Sequence, residues 1–99
     1  MNLPKRLRIG GLIHTVQTAD SGLLDDAFGD CEFATQSIRV LDVLTRQKER
    51  QILMHEVLEA LTSTHLIELT HEQLSVVSTE SLRVLDDNPA LRAYLWGGK

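Results

Sequence analysis

A single cysteine, Cys31, leaves this 99-residue chain without an internal disulfide and without a cysteine-based zinc knuckle. A fold of this size lacking cross-links fits a reducing compartment. Aromatic residues make up only 4% of the chain, so its core has to come mainly from Leu, Val and Ile. Two prolines and six glycines are too few for collagen-like or low-complexity sequence. No apolar run is long enough for a transmembrane helix, so no membrane partner is expected. The opening Met1-Asn2-Leu3-Pro4-Lys5-Arg6 is charged like the start of a signal peptide, but Leu7-Arg8-Ile9-Gly10-Gly11 interrupts the apolar stretch that has to follow. A cytoplasmic location is therefore the expectation. Excess positive charge is missing as well: the formal net charge is −4, which argues against nucleic acid as a partner.

What is present is ordinary globular composition, 42% hydrophobic and 24% charged, in a length that suits one core and one domain spanning residues 1–99. The charge is uneven. Seven basic and seven acidic residues occupy positions 1–50, whereas positions 51–99 hold seven acidic residues against Arg83, Arg92 and Lys99. An acidic second half suits a cation site, and a solvated helical face explains it equally well.

Periodicity divides the chain in two. Leu7 and Ile9 alternate with Arg6 and Arg8, Gly10-Gly11 is a two-residue hairpin signal, and residues 12–18 supply a β-branched second strand. Residues 20–29 read as a loop. A second hairpin is expected over residues 30–41, with Cys31 and Phe33 inward on one arm, Ile38 and Val40 on the other, and Thr35-Gln36-Ser37 between them. After Leu44 the period becomes helical. Thr45 can cap a helix over residues 46–62 whose apolar stripe runs through Ile52 or Leu53, Val57 and Leu61. Thr70-His71-Glu72-Gln73 is a capping box opening a second helix to about Asp87, with Leu74, Val77, Ser81 and Leu85 on one face. Asn88 as N-cap with Pro89 at the first helical position then starts a short third helix to Trp96. Strands followed by helices predict an α+β fold: a small antiparallel sheet of two hairpins, an antiparallel helical pair and a short C-terminal helix. His14 and Cys31 are expected to be packing residues, and Tyr94 and Trp96 to cap the core.

The chemistry-bearing cluster is His55-Glu56-x-x-Glu59. Residues i and i+4 share a helix face, so His55 and Glu59 can reach one ion, while Glu56 points about a quarter-turn away at the edge of that site. The layout is that of the zincin H-E-x-x-H helix with Glu59 in the place of the second His. Carboxylate is a legitimate zinc ligand, and catalytic sites take three protein ligands. Two histidines could be the third. His71 starts the second helix, which an antiparallel hairpin brings back beside the end of the first. His65 has the metzincin spacing, but that motif turns at a glycine where this chain has Thr62, which favours His71. The triplet by itself also fits a polar helix face.

The whole chain resembles a group of small phage and prophage proteins related to the ImmA/IrrE-like zincin metallopeptidases. The resemblance runs from Leu3-Pro4-Lys5-Arg6-Leu7-Arg8-Ile9-Gly10-Gly11 through Gly29-Asp30-Cys31 and Ile38-Arg39-Val40. It is strongest over Leu53-Met54-His55-Glu56-Val57-Leu58-Glu59-Ala60-Leu61, then Glu68-Leu69-Thr70-His71 and Val84-Leu85-Asp86-Asp87-Asn88-Pro89. It implies a minimal zincin-like domain in a phage-infected or lysogenic bacterial cytoplasm. His55, Glu59 and His71 would ligate zinc or another divalent metal, and Glu56 would be the catalytic general base. The implied activity is hydrolysis of an extended peptide laid along a strand edge. A different expectation is a zincin-shaped module without turnover that docks on a host or defence protein. A third is a structural phage protein or homo-oligomer that uses the acidic helical face.

Overall fold

The computed structural model describes residues 3–97 and has the expected α+β order. Four strands, β1 (Arg6–Ile9), β2 (Leu12–Ala19), β3 (Gly29–Glu32) and β4 (Ser37–Leu41), precede the helices α1 (Arg46–Thr64), α2 (His71–Asp87) and α3 (Pro89–Leu95). The first hairpin turns at Gly10 and Gly11, with φ of 59° and 84°. Positive φ at both central residues is the type I′ geometry whose twist matches that of the flanking strands.

Both hairpins are antiparallel, but the seam between them is not. The strand order is β1-β2-β4-β3, and β2 pairs with β4 in parallel, which makes the sheet mixed. Residues 20–28 cross over so that β3 takes the outer position and β4 the inner one. Burial explains the choice. Ile38 and Val40 of β4 are fully buried, while β3 (Gly-Asp-Cys-Glu) is polar and suits an edge. The same crossover covers part of the sheet's outer face. Ala19 and Leu41 are paired neighbours of opposite parity to Val16 and Val40, and Leu24 from the crossover packs on them.

The main core lies between the sheet and α1: Ile9, Val16, Ile38, Val40 and Ala60, flanked by Ile52, Leu53, Val57 and Leu61. The helical stripe read from the sequence is therefore the one that packs. Thr45 caps α1 by accepting from the Lys48 amide, and the Thr70/Gln73 capping box is complete in both directions. Arg50 reaches across to Asp86 with two hydrogen bonds of 3.2 and 3.0 Å, clamping the antiparallel pair at one end.

Four side-chain expectations change. The inward face of α2 runs through Leu74 and Ser78, with Val77 outside. Ser78 fits because a small side chain lets the helices approach, and its hydroxyl is satisfied by the Ser75 carbonyl at 3.1 Å. Phe33 falls in the β3–β4 turn and is exposed, since β3 stops at Glu32. Asn88 does not cap α3 with its side chain but donates back to the Val84 carbonyl at 2.8 Å. Tyr94 and Trp96 do not cap the core: α3 touches α2 alone and leaves both rings in solvent. His14 is buried on the inner face, as a packing residue.

Candidate metal centre

The middle of α1 carries His55 and Glu56 on the side covered by β3 and α2. Both are buried, a costly location for two ionisable groups unless each finds a partner. Ligand atoms of His55, Glu56 and Glu59 lie within 4.8 Å of one another, so the three could hold a metal ion. The i, i+4 spacing accounts for His55 and Glu59. Glu56 joins them instead of standing at the edge, because α1 sits directly on β3.

Gly29, the first residue of β3, makes that approach possible. A Cβ there would meet Ile52 Cγ2 at 2.7 Å, the Arg39 carbonyl at 3.0 Å and Glu56 Oε2 at 3.4 Å. Gly29→Ala is therefore expected to push β3 off α1, costing about 1–3 kcal/mol as overpacking does. Urea unfolding would measure the loss, and metal affinity is expected to fall with it. An unchanged midpoint would mean that β3 does not brace Glu56. The next residue, Asp30, pairs directly with Arg39 of β4 and accepts a 2.9 Å bond from its Nε, with a second contact from Nη2. This fork holds the register of β3 where it faces the site.

The electrostatics follow from the packing. Burial, the hydrogen bond that protonated Glu56 donates to Glu59, and the charges of Glu59 and Asp30 raise Glu56 well above the usual carboxylate range. Glu56 Oε1 is a buried oxygen with no hydrogen-bond partner. Such an atom costs roughly 1–3 kcal/mol unless something satisfies it, and more if it is charged. Burial also lowers the pKa of His55; neighbouring His71 adds to this and Glu59 opposes it. The neutral imidazole is the ligating form. Cys31 lies on the same side of β3, and burial, then Glu56, Glu59 and Asp30, push its thiol up to about 12. It is a thiol at neutral pH, not a nucleophile.

The helical hairpin brings His71 to His55, with ring centroids 4.7 Å apart and planes tilted by 55°. His71 is exposed and does not share the tight three-residue group. His65 is the C-cap of α1. The helix runs straight through Thr62, whose hydroxyl bonds the Leu58 and Glu59 carbonyls. Ten residues of helix put His65 about 15 Å along the axis from His55. Ser75, one turn beyond His71, was not singled out by sequence; its hydroxyl is 3.3 Å from His55 Nδ1 and can orient the ring, leaving Nε2 for a ligand. A cleft of about 370 Å³ opens here, lined by His55, Glu56, His71 and Ser75 with Phe28 and Lys48. The Lys48 ammonium lies 5.0 Å over the Phe28 ring.

The sequence matches no protein-family model, and neither a curated protein nor a solved structure matches it. No helix among the described residues is long and apolar enough to cross a membrane.

Proposed function

We propose that the protein is a zincin-like divalent-metal protein, with zinc the preferred ion, that acts on an extended peptide. The observation that carries the reading is the buried, unpartnered Glu56 Oε1 beside His55 and Glu59. A cation among these groups would neutralise two carboxyls and remove the desolvation cost in one step. His55 and Glu59 are the ligands, with His71 completing the set from α2. Two imidazoles with one carboxylate form a borderline donor set, compatible with zinc.

Zinc would supply Lewis-acid polarisation of a peptide carbonyl. The chain's own residues do the rest. Glu56 is the proton carrier, and its raised pKa suits a group that takes and returns a proton near neutral pH. Ser75 holds the His55 ring. β3 is an edge strand against α1, so an extended peptide can add to its free side and pass Glu56. A second reading, a non-catalytic module docking on a host or defence protein, is favoured by Glu59: a carboxylate ligand makes the centre more anionic and activates water less.

Metal analysis of the purified protein tests the proposal. About one zinc per chain is expected for the wild type and for His65→Ala, with clear loss in His71→Ala. Metal lost in His65→Ala but kept in His71→Ala would overturn the ligand assignment. Protein that binds no divalent metal when dialysed against it would end the metal reading altogether.

A further inference from the structure

The metal cleft extends beyond the residues that could hold an ion. Past His55 it continues towards the start of α1, with Ile52 and Lys48 on the helix and Ala27, Phe28 and Gly29 opposite. Lys48, Ile52 and His55 stand at i, i+4 and i+7, so they follow one another along one face of the helix. Lys48 is the one lysine or arginine in the lining, two turns before His55.

The stability of α1 does not call for a cation there. Lys48 lies in the first turn, where the helix dipole disfavours positive charge. Among the described residues its ammonium makes no ion pair, although the chain is acidic. It is held instead 5.0 Å over the Phe28 ring. The backbone that carries this ring is anchored to the sheet, because the Leu41 amide donates to the Phe28 carbonyl at 2.8 Å. Both side chains are exposed, so the ammonium is placed in the cleft and remains open to a ligand.

We propose that the cleft selects peptides bearing a carboxylate about three residues from the bond at the metal, and that Lys48 reads it. This rests on the metal-centre reading given above. Spacing sets the distance: seven residues of helix separate Lys48 from His55 by about 10.5 Å, and extended peptide advances about 3.3 Å per residue. Charge sets the sign. Zinc would balance Glu56 and Glu59, and Lys48 then leaves the cleft positive in a chain of net charge −4, which draws in an anionic ligand. Ile52, between the two, offers an apolar floor to the intervening part of the peptide. A C-terminal carboxylate and an Asp or Glu side chain present the same group, so either can fill the subsite.

Peptide hydroxamates test this on the zinc-loaded full chain, because the hydroxamate clamps the metal and fixes where the peptide begins. One series, with the hydroxamate at either end, walks a single Glu along a capped alanine peptide, with Gln as its control. The other carries the hydroxamate at its N-terminal end, has no acidic residue, and ends in a free or an amidated C-terminus at increasing distance. Calorimetric dissociation constants are expected to improve about fivefold at the third residue, the upper range for an exposed ion pair. Lys48→Met is expected to erase that gain with zinc content unchanged, and Lys48→Arg to keep it. Lys48→Glu is expected to transfer it to a peptide with Lys in that place. A gain in the first series alone identifies a side-chain carboxylate as the ligand, and in the second alone the peptide's own terminus; each supports the proposal. Zinc-loaded protein that shows no carboxylate preference, binds no hydroxamate, or keeps its preference in Lys48→Met overturns the proposal and leaves the metal centre standing. A chain that holds no zinc overturns the centre itself, and the proposal with it.

Discussion

Zinc added to the metal-free protein is expected to raise its melting temperature by roughly 10–20 °C, and His55→Ala is expected to abolish the rise. The magnitude follows from linkage. A ligand present at a hundred times its dissociation constant stabilises by about 2.7 kcal/mol, and each kcal/mol moves the midpoint of a domain this size by about 4–8 °C. His55 is the residue to remove because it is buried, favours the neutral form and is oriented by Ser75. Losing it also opens a cavity between α1 and α2, so the metal-free variant is expected to melt lower than the metal-free wild type. The two effects separate cleanly: the cavity lowers both curves, whereas the ligand loss removes only their difference. A zinc-dependent rise that survives in His55→Ala would place the ion elsewhere.

The sequence made most of the architecture legible because its local signals agree with one another. Gly10-Gly11, Thr45 and the Thr70/Gln73 box each act where they stand, through turn geometry or a capped amide, and need no distant partner. What required tertiary context was missed. The parallel seam depends on which hairpin arm is buried, and Cys31 and Phe33 alternate as convincingly as Ile38 and Val40. On α2, Val77 outranks Ser78 in hydropathy, yet close approach to α1 calls for the smaller residue. The site divides in the same way. Helical spacing is enough to pair His55 with Glu59. The burial of Glu56 depends on Gly29, twenty-seven positions away, whose missing side chain gives no periodic signal. Ser75 could have been found as the residue one turn after His71 on a helix that must face α1.

Glu56→Gln is expected to flatten the pH dependence of stability in the metal-free protein. The folded chain raises Glu56 from 4.5 to about 8, chiefly through burial, then through Glu59 and Asp30. Between those two values the native state keeps a proton that the unfolded chain has released. The contribution of Glu56 to stability is therefore complete below about pH 4.5, falls as pH rises towards about 8, and levels off beyond it. The whole loss is on the order of a few kcal/mol. Gln keeps the shape, cannot ionise, and can donate to Glu59 as the protonated acid does. Above pH 8 the metal-free variant is expected to be the more stable protein. Zinc is expected to reverse the wild-type slope, since a cation favours the carboxylate. Urea midpoints at several pH values, with chelator and with zinc, measure both slopes. Parallel chelator profiles for wild type and variant would mean that Glu56 is not the buried acid described. Turnover gives the second readout on the same variant. If Glu56 carries the proton during hydrolysis, the substitution is expected to lower peptidase activity by at least about a hundredfold while the metal stays bound. A variant that keeps its metal and its full effect on a partner protein would instead favour docking over catalysis, because docking needs the shape of the centre and not its base.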